Sequence, residues 1–241
     1  MRWLLKPDHT DLKKMDELDV RNRIVSFVHG SILTVLSTYH FYFMHASCGD
    51  PNLLWETNLM NLSMGYFLYD FIAMAYYGLL DATMVLHHMS ATLGMLFPLS
   101  IGLSSNYCIR GMFITEVSNP AMHARCILKH YGLRYTYAYE LMEACFIIAY
   151  IFGRVITGTN VVYGALTCPH NHTVTKLGCI GLFGQSLYFT KQMIGILIKR
   201  AREIHTRKIH RIKIKWFTPL TDAEMEKLGI DKNKGDKGVN L

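Results

Sequence analysis

The stretch LMNLSMGYFLYDFIAMAYYGLL, residues 59–80, decides the fold class. It carries a single charge, Asp70, and a single amide, Asn61. As a helix of about 1.5 Å per residue it is long enough to cross roughly 30 Å of hydrocarbon. Five further runs, at 24–44, 84–103, 109–124, 136–157 and 176–198, resemble it, and the six are 16 to 23 residues long. Together they use most of the 241 residues, of which 51% are apolar, so no room is left for a separate soluble domain. The chain is therefore expected to be an all-α integral membrane protein, a bundle or barrel of about six transmembrane helices. Residues 1–22 read as a polar inner N-terminal segment, 23–200 as the membrane domain and 201–241 as a basic inner tail.

The formal charge of +7 at first suggests a nucleic-acid partner, but position argues otherwise. Residues 1–23, 125–135 and 199–241 hold 21 of the 25 Lys and Arg, whereas 45–58, 104–108 and 158–175 hold none. With six spans, the basic segments fall on one side and the bare ones on the other, which is the positive-inside pattern. No nucleic-acid partner is expected; membrane lipids are. The opening MRWLLKPDHTDLKKMDELDV has no apolar core before a small-residue site, so it does not read as a secretory signal.

Within the runs, three features stand out. Pro98 is expected to kink the third, since it removes a backbone hydrogen bond. The fourth, YCIRGMFITEVSNPAMHARCILKHY (107–131), contains Arg110, Glu116, Asn119 and Pro120, so its polar face must turn away from lipid. In the last, Gly178, Gly181 and Gly184 offer a small-residue face for close packing against a neighbour. Between the fifth and last runs, the first half of GTNVVYGALTCPHNHTVTK (158–176) is apolar enough to dip back into the bilayer as a re-entrant piece. The six cysteines have no CxxC spacing, so neither a zinc site nor a disulfide framework is expected. Cys48 and Cys168 share the outer side and either pair or stay free.

Each ionisable residue inside a span needs a reason, since burying its charge in hydrocarbon is costly. Those residues are Asp70, His87, His88, Arg110, Glu116, Arg154 and Lys191. One reading pairs them to orient helices. The other lines a polar chamber with Asp70, His88, Arg110, Glu116, Asn119, Arg154 and Lys191. Histidine in a partly dry site can act as general base or nucleophile, with a carboxylate fixing its tautomer. Under that reading His87 or His88 does the chemistry and Asp70 or Glu116 orients it. Adjacent helical residues point about 100° apart, so one histidine of the two is expected to face the chamber. No metal site and no cofactor are expected.

The order of these residues resembles the TLC-domain family. It comprises Arg23, Ser26 and His29 opening the first run, Tyr69 and Asp70 in the second, and His87 and His88 opening the third. Glu116, Ser118 and Pro120 follow in the fourth. Phe152 and Arg154 close the fifth, one residue short of the Phe–x–x–Arg spacing. The likeness covers roughly residues 20–200. It implies membrane helices around a lipid-accessible cavity and, in the ceramide synthases of the family, transfer of an acyl group from acyl-coenzyme A with the paired histidines essential. Those synthases carry close-set aspartates some 30 residues after the histidines. Here no aspartate occurs between Asp81 and Asp222, so the chain is more similar to the non-synthase members.

Three functions follow from these readings. The first is a protein that handles lipid in a helix-lined cavity without ceramide synthase activity. The second is an accessory subunit of a larger membrane complex, with other membrane subunits as partners. The third is an acyl-CoA-dependent lipid N-acyltransferase. The resemblance favours the endoplasmic reticulum or another endomembrane, with the mitochondrial inner membrane as the alternative. Asn171–His172–Thr173 is a glycosylation sequon on the outer side.

Overall fold

The computed structural model describes residues 9–45 and 47–229, with side chains from residue 17 onward. The first part of the N-terminal segment and the end GDKGVNL, read as disordered from sequence, lie outside the described residues. Helices dominate: α1 His9–Phe43, α2 Leu54–Tyr77, α3 Ala82–Ile101, α4 Ser105–Glu116, α5 Asn119–His130, α6 Tyr137–Tyr150, α7 Gly158–Thr167, α8 Thr173–Ile209 and α9 Asp222–Lys227. Among the described residues the sole β pairing is an isolated bridge between Pro51 and Leu103.

Local chemistry accounts for the helix ends. Gly78 ends α2 at φ +70°, a conformation that costs glycine least, and the Asp81 carboxylate then accepts the Met84 N–H at 2.8 Å to start α3. The Thr136 hydroxyl accepts the Tyr139 N–H to start α6. Three helical stretches are long and apolar enough to cross a membrane: Glu17–Phe43, Ala82–Ile101 and Tyr137–Thr167. The α2 and α8 helices are long enough but carry more polar residues, and the fourth run is interrupted.

The helices form a closed ring in which α1 packs on α2, α2 on α3, α3 on α8, α8 on α7, α6 on α5, and α5 on α1. The α4 helix instead touches α1, α2, α3 and α7, and so plugs one end of the ring. Leu33, Leu59, Met60, Phe67, Met95, Ile109 and Met112 pack there as one core. At Val117 and Ser118 the chain leaves the helix, and α5 resumes in the wall. The interior is therefore filled at the α4 end and left open at the α5 end.

Polar residues lie inside this ring and apolar ones outside, the reverse of a soluble protein. Ser37, His40, Ser63, Asp70, His88 and Glu116 are buried, while Val28, Val35, Ile72, Ile148, Ile180 and Ile194 are exposed.

Several expectations need correction. The fourth run is no continuous span: it breaks before Asn119–Pro120, where proline has no N–H to offer the preceding turn. The α3 helix stays helical through Pro98 to Ile101, and the Gly94 carbonyl, left free by the missing Pro98 N–H, accepts from the Cys108 thiol at 4.0 Å. Residues 158–167 do not dip back. They continue α6 through a π-helical stretch, Ile151–Thr157, giving one helix of 31 residues. Its extra residue per turn lets Gly153 lie against the α4 end, where a Cβ would stand 2.6 Å from Val117 Cγ1. A Cβ at Gly178, Gly181 or Gly184 would meet nothing within 4 Å, so that stripe faces away from the bundle.

The plugged end is tied by a disulfide between Cys48 and Cys168, which joins the α1–α2 loop to the α7–α8 loop. Beneath it Glu56 accepts from the Leu53 N–H at 3.0 Å and from the Ser105 hydroxyl, and meets His40 Nε2 at 2.8 Å. The opposite, basic end is held by ion pairs. Arg200 binds Glu143 at 2.5 Å and Glu203 at 2.6 Å, and Arg207 binds Glu140. The segment after α8 returns to α6, with the Tyr137 N–H bonded to the Lys215 carbonyl at 3.0 Å.

Candidate functional site: a polar cavity in the open half of the ring

The open half contains a cavity of about 470 Å³, within the range of small-molecule sites. Every wall contributes: Arg23, Ser26 and His29 from α1, Asp70 from α2, His87 and His88 from α3, Glu116 and Asn119 from either side of the break, His123 from α5, Arg154 from the π-helical stretch and Gln185 from α8. Its apolar lining is rich in methionine, with Met74, Met84, Met122 and Met193. Such unbranched side chains adapt to ligands of variable shape.

Asp70 and His88 form the centre. His88 Nε2 lies 2.8 Å from Asp70 Oδ2, and Asn22 donates to Asp70 Oδ1 at 2.7 Å. His88 Nδ1 faces the Met84 carbonyl at 2.9 Å, and a carbonyl can only accept, so Nδ1 carries a proton. The Nε2–Oδ2 contact then shares one further proton, either as imidazolium with carboxylate or as imidazole with acid. Both ring nitrogens of His88 are engaged. His87 points along the ring to Gln185 on α8 instead. Thus both histidines line the cavity, against the expectation of one, because it wraps far enough around α3 to receive both directions.

At the mouth Arg23 and Asp19 pair at 2.7 Å. Further in, the Tyr66 hydroxyl donates to Ser26 at 2.8 Å, and its ring stacks on His29 with centroids 3.6 Å apart. Glu116, 4% exposed, accepts from Asn119 at 2.9 Å, and α1 comes close enough there that a Cβ on Gly30 would stand 3.4 Å from its carboxylate. Arg154 is buried; one Nη donates to the Thr115 carbonyl at 2.8 Å and its guanidinium lies 5.2 Å from the Tyr150 ring centroid.

Of the expected lining residues, Asp70, His88, Glu116, Asn119 and Arg154 converge, joined by the catalytic candidate His87, and Arg110 and Lys191 do not. Arg110 lies in the plug, 5.5 Å from the Phe41 ring. Lys191 is exposed on α8 because Gln185, Phe189 and Met193, at four-residue steps, take the inward face. Of the two candidate carboxylates, Asp70 is the one paired with a histidine, while Glu116 bonds Asn119. Of the family motif, Tyr69 and Phe152 point outward, being 52% and 41% exposed. Sequence reasoning missed Asn22, Tyr66, His123 and Gln185. For His123 a signal existed, four residues after Asn119 on one helix face. Among the described residues no group of three metal-ligating side chains occurs.

A helical membrane protein whose polar side chains converge inside a ring with an apolar exterior is the class defined by this fold and site. The TLC-domain family matches residues 19–197, about three quarters of the chain, and includes every cavity residue named above. The chain belongs to the TLC-domain family. No solved structure matches it.

Proposed function

We propose that this protein binds a membrane lipid in the cavity and handles it without ceramide synthase activity. The observation that carries the reading is a cavity of about 470 Å³ with polar side chains converging inside an apolar exterior. Under this reading the five long walls cross the bilayer, the sixth crossing is made by α4 and α5 in succession, and the basic ends of α1 and α8 face the inner side. The polar residues that lower the mean hydropathy of α2, such as Ser63 and Asp70, are buried towards the ring interior, which supports this topology. Lys191 then reaches the inner head groups from the lipid face. Glu116 and Asn119 stand where the synthases carry aspartates, and they bond one another.

Native mass spectrometry of the protein from membranes tests the reading. A co-purifying lipid is expected, and its loss on filling the cavity with Ser118→Trp. Protein that is lipid-free under conditions retaining annular lipid sinks it.

A second reading, acyl transfer, takes His87 as the general base, since it lines the cavity beside His88, whose two nitrogens are engaged by Asp70 and the Met84 carbonyl. A transfer assay with labelled acyl-coenzyme A and lipid amines separates the two. Lipid handling predicts no transfer. Catalysis predicts turnover that falls at least about 100-fold in both His87→Ala and His88→Ala.

The Cys48–Cys168 bond, on the side away from the basic ends, supports an endomembrane whose lumen is oxidising.

A further inference from the structure

Arg154 stands apart among the cavity's ionisable groups. Asp19 pairs with Arg23, and Asp70 with His88 and Asn22. Arg154 is 8% exposed, and its protein partners are one carbonyl and one ring face. Glu116 acts on it electrostatically without a contact ion pair. Its Nε has no protein partner, and three further buried atoms of cavity-lining residues share that condition: His29 Nε2, His123 Nδ1 and Ser118 Oγ. A buried polar atom without a partner requires an explanation.

Arg154, Ser118 and His29 belong to one level of the ring. Arg154 binds the Thr115 carbonyl, three residues before Ser118, and Gly153 packs on Val117. His29 precedes Gly30, which packs on Glu116 and Asn119. The guanidinium therefore sits at the α4–α5 break, beneath the plug, where the cavity ends. The π-helical stretch places it there, and such stretches recur at functional sites because they re-aim side chains. At this closed end the Arg154 Nε–H, the Ser118 hydroxyl and His29 Nε2 have no protein partner. Toward the mouth, Met74, Leu79, Met84 and Met193 supply an apolar path.

Building on the lipid-binding reading above, we propose that Arg154 is the head-group anchor for a single-chain amphiphile with an anionic oxygen head, a carboxylate or a phosphate. The guanidinium carries the charge and presents Nε for a second bond, with the Ser118 hydroxyl as an additional donor. The cavity of about 470 Å³ lies in the small-molecule range, with the guanidinium at its closed end and the apolar path leading out of it. A purely structural Arg154, clamping Thr115, would make no distinction between charged and uncharged ligands.

The test uses the full chain in nanodiscs and three probes of one chain length, hexadecanoate, hexadecyl phosphate and hexadecanol, with binding read by equilibrium competition. Wild type is expected to prefer at least one charged probe over hexadecanol by tenfold or more. Arg154→Gln is expected to lose that preference while keeping its hexadecanol affinity, which doubles as a check on folding. Arg154→Lys should fall between the two. Whichever charged probe wins identifies the head as carboxylate or phosphate. Equal affinity of wild type for all three probes overturns the proposal, and so does an undiminished charge preference in Arg154→Gln. If no probe binds wild type, the lipid-binding reading fails with it. If hexadecanol binds as tightly as the charged probes, the anchor alone fails.

Discussion

Asp70 and His88 illustrate how single residues are held at a depth that should exclude them. A charged residue at the centre of a bilayer costs at least about 2.5–3.5 kcal/mol, and here the cost is offset by three hydrogen bonds around one shared proton. Removing one partner leaves the other buried and uncompensated. Asp70→Ala is therefore expected to destabilise the fold by about 3–5 kcal/mol, measured by thermal unfolding in detergent. A cycle with His88→Ala should return a coupling of about 1–3 kcal/mol, since the two residues touch. Additive effects would mean that the 2.8 Å contact contributes nothing. Asn171 makes the converse point about a motif. It is 4% exposed and its amide donates to the Ala165 carbonyl at 2.9 Å. The sequon is thus closed in the folded chain, and endoglycosidase treatment is expected to leave mobility unchanged whatever the compartment. A shift on treatment would contradict the placement of Asn171.

The helices show which glycines matter. At Gly153 the α6–α7 helix meets the α4–α5 break, and a methyl group there collides with Val117 and with the Ile114 carbonyl. Gly153→Ala is expected to cost about 1–3 kcal/mol through overpacking, with partial rescue by Val117→Ala. Gly181→Ala, on a face with open space, should be neutral or stabilising by up to about 1 kcal/mol, because alanine is the better helix former. Equal losses at both positions would refute this division. Three-residue spacing alone could not make the distinction. The same limit applies to Gly158, read from sequence as the start of a re-entrant piece, which stands in a continuing helix where a Cβ would lie 3.7 Å from Ile114 and 3.8 Å from Phe183.

At the scale of the whole molecule, the two ends of the ring are built differently. The plugged end relies on the disulfide and the Glu56 cluster, and the basic end on arginine–glutamate pairs. The disulfide spans 120 residues of sequence, so it constrains the unfolded chain strongly. Cys48→Ser is expected to lower stability by about 2–4 kcal/mol, seen as a drop in unfolding temperature matched by reductant on wild type. An unchanged unfolding temperature in both would show that Glu56, His40 and Ser105 hold this end unaided. Closing one end with a bond and a plug, while the other carries the cavity mouth, directs access towards the basic face.

Hydropathy, charge position and residue order by themselves determined that the chain is helical, that it belongs in a membrane and that it has the TLC-domain pattern. These are properties of composition along one dimension: apolar length must match the bilayer, and basic residues resist crossing it. They also named Asp70, His87, His88, Glu116, Asn119 and Arg154 as residues requiring an explanation, because charge and polarity inside an apolar run are visible without a fold. Tertiary structure alone decided that Asp70 and not Glu116 meets His88, that Arg110 belongs to the plug and Lys191 to the exterior, and that Cys48 finds Cys168. Each depends on the angle at which one helix faces another. That angle is set by packing at the α4–α5 break and the π-helical stretch, which shift the facing of residues without any mark in hydropathy.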